Sequence, residues 1–347
     1  MPLRTSRRHA AALILAGLAL VLQGCALDRE NIARFEPPPS RDIPVNTPQT
    51  GAGEIWQVVE GAPVSGEREL FTGVQNVRFM QPIAVAARGQ QVYVIDAGSR
   101  QLFRYDIALD RLTLVKDMRG LLSGNTAYLH VSRDLSFYIA DADGARVLQF
   151  DPDGRLLREI KDRINIGRPI SVLVNEYSGY LFIADGANDD VMVFNPEGLL
   201  TGAIGVRGLG AGRFLNITAL AQGPLGFYVG TRIGASRVQI MGDDGRYSDS
   251  LQQNTVIFPT AIAVDSEGRA YVSDYLTDDI KVYDGTKLIG VIGGHGSAPG
   301  RFRRITALWL DEGFLYVADS LNRRIQILTL ASWQPAPPAA VGEPASQ

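Results

Sequence analysis

Along most of its length the chain alternates short apolar runs with polar turns, and the alternation itself repeats. Six segments, VYVIDAGS (92–99), FYIADADG (137–144), LFIADGAN (181–188), FYVGTRIG (227–234), AYVSDYLT (270–277) and LYVADSLN (315–322), align on Tyr93, Tyr138, Phe182, Tyr228, Tyr271 and Tyr316, which lie 43 to 46 residues apart. Self-similarity at a fixed period marks a repeat architecture and outranks any local motif. Val or Ile follows the aromatic in every unit, as suits a packed strand. A small residue comes next in five of the six, which predicts a neighbouring sheet close by. Asp96, Asp141, Asp185, Asp274 and Asp319 then end the strand, with Thr231 in the fourth unit; a short acceptor there takes a backbone N–H and fixes the turn. Recurring once per unit at the same turn, these residues read as structural, not as catalytic or calcium-binding acids.

Nine residues beyond the Asp or Thr, the positions Tyr105, Phe150, Phe194, Ile240, Tyr283 and Leu328 mark a third strand, followed by turns such as DPDG, NPEG and GDDG. A fourth strand is read in LTLVKDM, LLREIKD, LLTGAIG and KLIGVIG, and a first precedes each aromatic (PIAVA, YLHVS, ISVLV, ITALA, AIAVD, ITALW). Four short antiparallel strands in about 44 residues make one blade of a propeller. The fold class is therefore all-β, a six-bladed β-propeller of four-stranded blades over residues 54–330. The sixth unit lacks a fourth strand of its own. IWQVVE, Ile55 to Glu60, is expected to supply it and close the ring, because an open ring exposes sheet edges.

The stretch IGGHGSAPGRF (292–302) has the look of a phosphate-binding loop, but the strand-like ITALWL follows where a helix N-terminus would be needed, and the P-loop lysine is missing. Shifted back by 88 residues it matches IGVRGLGAGRF, Gly293 on Gly205, Gly300 on Gly212 and Phe302 on Phe214. Both are connectors between blades, and His295, standing where Arg207 does, is not a repeated ligand. The unit G-x-x-G-x-x-x-G-x-F, first strand, YVADS-x-N-x-R-I-Q-I resembles the NHL repeat over roughly residues 78–330, most closely in units three, five and six. The fourth departs with Gly230-Thr231 in place of Ala-Asp. The resemblance implies a six-bladed NHL-like propeller.

The first 25 residues are different in kind. Three arginines without an acid precede the apolar run AALILAGLALVL and then LQGC, a pattern of export that is too short for an ordinary membrane span. Leu22-Gln23-Gly24-Cys25 resembles the lipobox of bacterial lipoproteins, which implies acylation of Cys25, the one cysteine in the chain. Residues 1–24 read as a lipoprotein signal peptide, 25–53 as a Pro-rich tether, and 331–347 as a disordered Pro/Ala-rich tail. Ala26 after the cysteine favours outer-membrane anchoring, with the side of the membrane left open. Without the signal the net charge falls from −3 to about −6, which argues against a nucleic-acid partner.

Two classes of function remain. Zinc catalysis needs a set of His or Cys ligands, and beyond the signal only His130 and His295 are left; His130, on the inner strand YLHVS, reads as a packed histidine. No G-x-S-x-G elbow is present. A calcium site of Asp and Asn side chains stays open, because such ligands need no fixed spacing; otherwise no cofactor is expected. The preferred reading is a non-catalytic binding or scaffold module for a protein or polysaccharide. The alternative is a lactonase-like hydrolase or lyase using a cation in the channel. One face is expected to place Arg301, Arg303, Arg304, Arg323 and Arg324 on one side against Asp189, Asp190, Asp278 and Asp279 on the other.

Overall fold

The computed structural model describes residues 54–65 and 75–330. The signal segment, Cys25, the tether and the tail lie outside the described residues. Six antiparallel blades follow one another along the chain, and the described residues contain no helix beyond a single 3₁₀ turn at Ser320–Asn322. The inner strands are Pro82–Arg88, Ala127–Val131, Pro169–Val174, Ile217–Gly223, Pro259–Val264 and Ile305–Asp311. Each touches the next, and the sixth touches the first, so the six enclose a central channel.

Hydrophobic packing holds the wheel together between blades. Six clusters of buried side chains form, one in each interface between neighbouring blades. Four of the repeated aromatics, Tyr93, Tyr228, Tyr271 and Tyr316, are almost fully buried and are among the largest members of these clusters, with Tyr105 and Tyr283 from the third strands. The small residue two positions on admits the neighbouring sheet, and a Cβ added to Gly230 would already stand 3.2 Å from Ile262 of the next blade.

The ring closes through Glu54–Val59, which pairs antiparallel with Arg324–Thr329, Ile55 opposite Leu328 and Val59 opposite Ile325. Blade one is larger than the repeat predicts. A hairpin of Gly61–Ser65 and Gln75–Arg78 extends it to six strands, its first strand lying parallel to the outer strand Arg111–Asp117. The addition helps to bury Ala62 and Phe79. Blade four has an outer strand, Tyr247–Ser250, whose sequence YSDS gave no apolar pattern to read.

The glycine-rich connectors now have a physical cause. Phe214 and Phe302 are fully buried, and each lays its ring on the glycine that opens its connector. Gly205 and Gly293 have φ of 73° and 86°, and an added Cβ would come within 2.1 Å and 2.2 Å of the ring. Both demands, left-handed backbone and room for an aromatic face, leave only glycine.

Candidate functional site

The channel is shaped by one repeated irregularity. In five blades the inner strand bulges after its first residue, so that Ile83, Ile170, Thr218, Thr260 and Thr306 have no partner on the second strand. A bulge re-aims the extra side chain. Blade two keeps a regular register with Tyr128 opposite Ala140. Tyr128, Ile170, Thr218, Thr260 and Thr306 line two cavities at once, which makes them the waist of a single channel.

Above the waist, on the face of the blade connectors, a mouth of about 840 Å³ is lined by Arg168, Arg232, Arg237 and Arg304 and by no carboxylate. The residue immediately before each inner strand, Gln81, Thr126, Arg168, Asn216, Phe258 or Arg304, lies on this wall. Arg232 stacks 4.1 Å from the Phe258 centroid and Arg304 5.4 Å from that of Tyr275, while the two rings meet edge to face at 5.3 Å. Cation–π contacts of this kind hold a guanidinium in place while leaving its N–H groups free to bind. Ile257 and Leu276, 51% and 60% exposed, flank the stack.

Below the waist lies a chamber of about 350 Å³ with mostly apolar walls. At its far end two contacts join blades that are not direct neighbours. Trp309 of blade six meets His130 of blade two edge to face at 5.3 Å, and its indole N–H donates to the Ala87 carbonyl at 2.8 Å. Arg88 of blade one lies over Trp309, 5.3 Å from its centroid, and forms ion pairs with Asp311 of blade six at 3.1 Å and Glu176 of blade three at 3.6 Å. His130 is 6% exposed and neither ring nitrogen has a partner. Burial, aided by the charge of Arg88, pushes its pKa down to about 3. Thr218 Oγ1 and Arg88 Nε are likewise buried without partners.

The repeated turn acceptors sit away from the channel wall. Asp96, Asp141, Asp185, Asp274 and Asp319 are buried, and each carboxylate takes N–H groups from the connector before its own blade. Asp185 is the fullest case, accepting from Gly167, Arg168, Ala187 and Asn188 at 2.7–2.9 Å. Thr231 occupies the same place with its hydroxyl unpartnered.

Of the arginines expected to form a binding face, only Arg304 lines the mouth. Arg301, Arg303 and Arg323 are exposed outside it, and Arg301 donates to the Gly293 carbonyl at 2.8 Å. Arg324 corrects the sequence reading. It is 4% exposed, pairs with Asp319 at 2.8 Å and donates to the Ala298 and Arg301 carbonyls, so it braces the turn and offers no charge to a partner. The opposing acids are also largely engaged within the fold. Asp189 is buried against the Ile217 N–H, Asp279 pairs with Lys281 at 2.7 Å, and Asp278 accepts from the Arg304 N–H and contacts His295 Nδ1, each at 2.7 Å. Among the described residues no three His, Cys, Asp or Glu side chains converge as a metal-holding group.

Asp190 is the strained member of that set. It lies beside Asp185 and Asp189 with one oxygen buried and unpartnered, and burial followed by the two neighbouring charges raises its pKa to about 6. An acid raised in the folded state favours folding most at low pH and loses that advantage as pH rises through about 6. Asp190→Asn should therefore stabilise the protein at pH 8 by about 1 kcal/mol, a figure reduced for the solvent screening of a half-buried group, with little gain at pH 4. Urea unfolding at the two pH values measures both.

No family model and no curated protein matches the chain. Solved structures do. A protein of unknown function from Bacteroides thetaiotaomicron is similar with a TM-score of 0.56 at 16% identity, covering 72% of this chain and 70% of that one. Virginiamycin B lyase from Staphylococcus aureus gives 0.54 at 8% identity, covering 72% and 95%. A gluconolactonase from Xanthomonas campestris gives 0.54 at 14% identity, covering 81% and 98%. The architecture and these similarities define the protein as a six-bladed β-propeller. At such identities the likeness extends to the fold alone.

Proposed function

We propose that the protein is an exported lipoprotein, anchored through Cys25 to the outer membrane, whose NHL-like propeller is a non-catalytic docking module. Its ligand is a protein segment that presents carboxylates among apolar side chains. The arrangement at the mouth carries this reading: arginines held on aromatic rings, beside exposed Ile257 and Leu276, with no acid on the wall. Arginine and aromatic side chains are the types enriched where proteins bind proteins. The lipobox-like LQGC and the apolar run before it support the anchor.

The double substitution Arg232→Glu, Arg304→Glu should abolish capture of the partner from native envelope while leaving the melting temperature within a few degrees. Capture of the same partners by wild type and variant sinks the reading. Cys25→Ser should eliminate incorporation of labelled palmitate. An enzymatic reading, a hydrolase or lyase acting through a channel cation, draws on the lyase and the gluconolactonase among the similar structures. Stoichiometric calcium or zinc in the purified protein would favour it.

A further inference from the structure

Cation, apolar strip and cation follow one another across the mouth. Arg232 belongs to blade four and Arg304 leads into blade six, with all of blade five between them. What blade five contributes is largely apolar: Ile257 and Phe258 from its connector, Tyr275 and Leu276 from the turn after its second strand. Asp274 pins both pieces, its carboxylate accepting from the N–H groups of Ile257 at 2.7 Å, Phe258 at 3.2 Å and Leu276 at 3.1 Å. Arg304 is held as firmly. Its φ of 64° is uncommon for a residue with a side chain, and its N–H donates to Asp278 Oδ1 at 2.7 Å. Among the described residues no carboxylate pairs with the guanidinium of Arg232 or of Arg304. Arg232, Phe258, Tyr275 and Arg304 form a ladder with steps of 4.1, 5.3 and 5.4 Å, so the two guanidinium carbons lie at most about 15 Å apart.

We propose that this ladder measures its ligand: it takes an extended segment with two carboxylates three or four positions apart and an apolar residue between them. This rests on the mouth being a docking site for acidic protein segments, and fixes their spacing. In an extended chain each residue advances about 3.3 Å, so positions four apart stand about 13 Å from each other, within the span of the ladder. Adjacent carboxylates reach one arginine only. Positions four apart on a helix stand about 6 Å from each other, whereas stacked sheets are already about 10 Å apart and the two arginines flank a whole blade. The apolar residue of the ligand falls on Ile257 and Leu276, both exposed. The other two mouth arginines lie off this line: Arg237 donates to the Arg232 carbonyl and so shares its end, and Arg168 leads into blade three.

Two end-blocked peptides of one composition test the spacing: Gly-Glu-Pro-Val-Pro-Glu-Gly, with its carboxylates four positions apart, and Gly-Pro-Glu-Glu-Val-Pro-Gly, with them adjacent. Their prolines favour an extended backbone in both. By calorimetry at low ionic strength, the full chain should bind the spaced peptide about tenfold more tightly than the adjacent one, the worth of one further charge-assisted contact. Arg304→Gln should remove that preference, and Arg232→Gln should remove it from the other end. Both arginines are exposed, and the second variant carries the comparison should the first not fold. Equal affinity of the wild type for the two peptides overturns the spacing rule and leaves acidic docking standing, whereas binding of neither peptide overturns both. A preference that survives in both variants also overturns the proposal, since the ladder would then not be what sets it.

Discussion

His130→Leu should flatten the acid limb of the protein's stability curve. In the unfolded chain this imidazole takes up a proton below about pH 6.5, whereas in the folded state it stays neutral down to about 3. A base depressed in this way contributes stability that is complete above its unfolded pKa and is lost as pH falls toward the folded one. At pH 4 the unfolded state gains about 3 kcal/mol from that proton alone. The charged groups around it, Arg88 and through it Glu176 and Asp311, remain in the variant, so the difference between the two proteins isolates the imidazole. Urea midpoints at pH 7 and pH 4 should separate less for the leucine variant than for wild type by that amount. Equal separations would mean that the folded state takes up the proton as readily as the unfolded chain. At pH 7 the leucine should cost little or even stabilise, since it removes two unpartnered polar atoms from an apolar chamber.

The second large effect is expected at the turn acceptors. Asp185→Ala should lower stability by about 4 kcal/mol, because it strands four backbone N–H groups that the carboxylate now serves. Two of the four belong to the connector before the inner strand and two to the turn after the second strand, which meet at one end of the antiparallel pair, so the loss loosens both loops at that end of blade three. Thr231→Val, at the equivalent place in blade four, should be neutral or stabilising by up to about 1 kcal/mol, because its hydroxyl bonds to nothing. Chemical denaturation of the pair is the check. Similar costs at the two sites would show that the position, and not the hydrogen bonding, sets the energetics.

The contrast explains what was legible in the sequence. Whatever repeats could be read: the aromatic answers the same packing requirement six times, and the small residue and the Asp answer theirs in five units each. The closing strand Glu54–Val59 was also legible, because a missing fourth strand is a deficit that the rest of the chain must fill. What occurs once was not. The hairpin of Gly61–Ser65 and Gln75–Arg78 has no counterpart in other blades, and YSDS carries no apolar alternation.

The candidate site falls between these cases. Charge clustering along the chain pointed to Arg301, Arg303, Arg304, Arg323 and Arg324, yet the mouth collects one residue from just before each inner strand, spread over the whole wheel. The signal was the position, which repeats, and not the residue type, which varies from Gln81 to Thr126, Arg168, Asn216, Phe258 and Arg304. Adjacent charges in the sequence instead part ways, with Arg323 exposed and Arg324 turned inward to Asp319. The bulges were also beyond reach, because an extra residue in a strand leaves the apolar pattern almost unchanged while redirecting Thr218, Thr260 and Thr306.

Pairing Glu54 with Thr329 also sets an order of assembly. The strand synthesised first among these elements must wait, its edge unsatisfied, until the last has emerged, so sealing is the slow, late event and everything before it is a horseshoe with two sticky ends. Premature encounter between two such intermediates would let the leading strand of one molecule complete the trailing sheet of another. The product of such an encounter would be a strand-exchanged dimer.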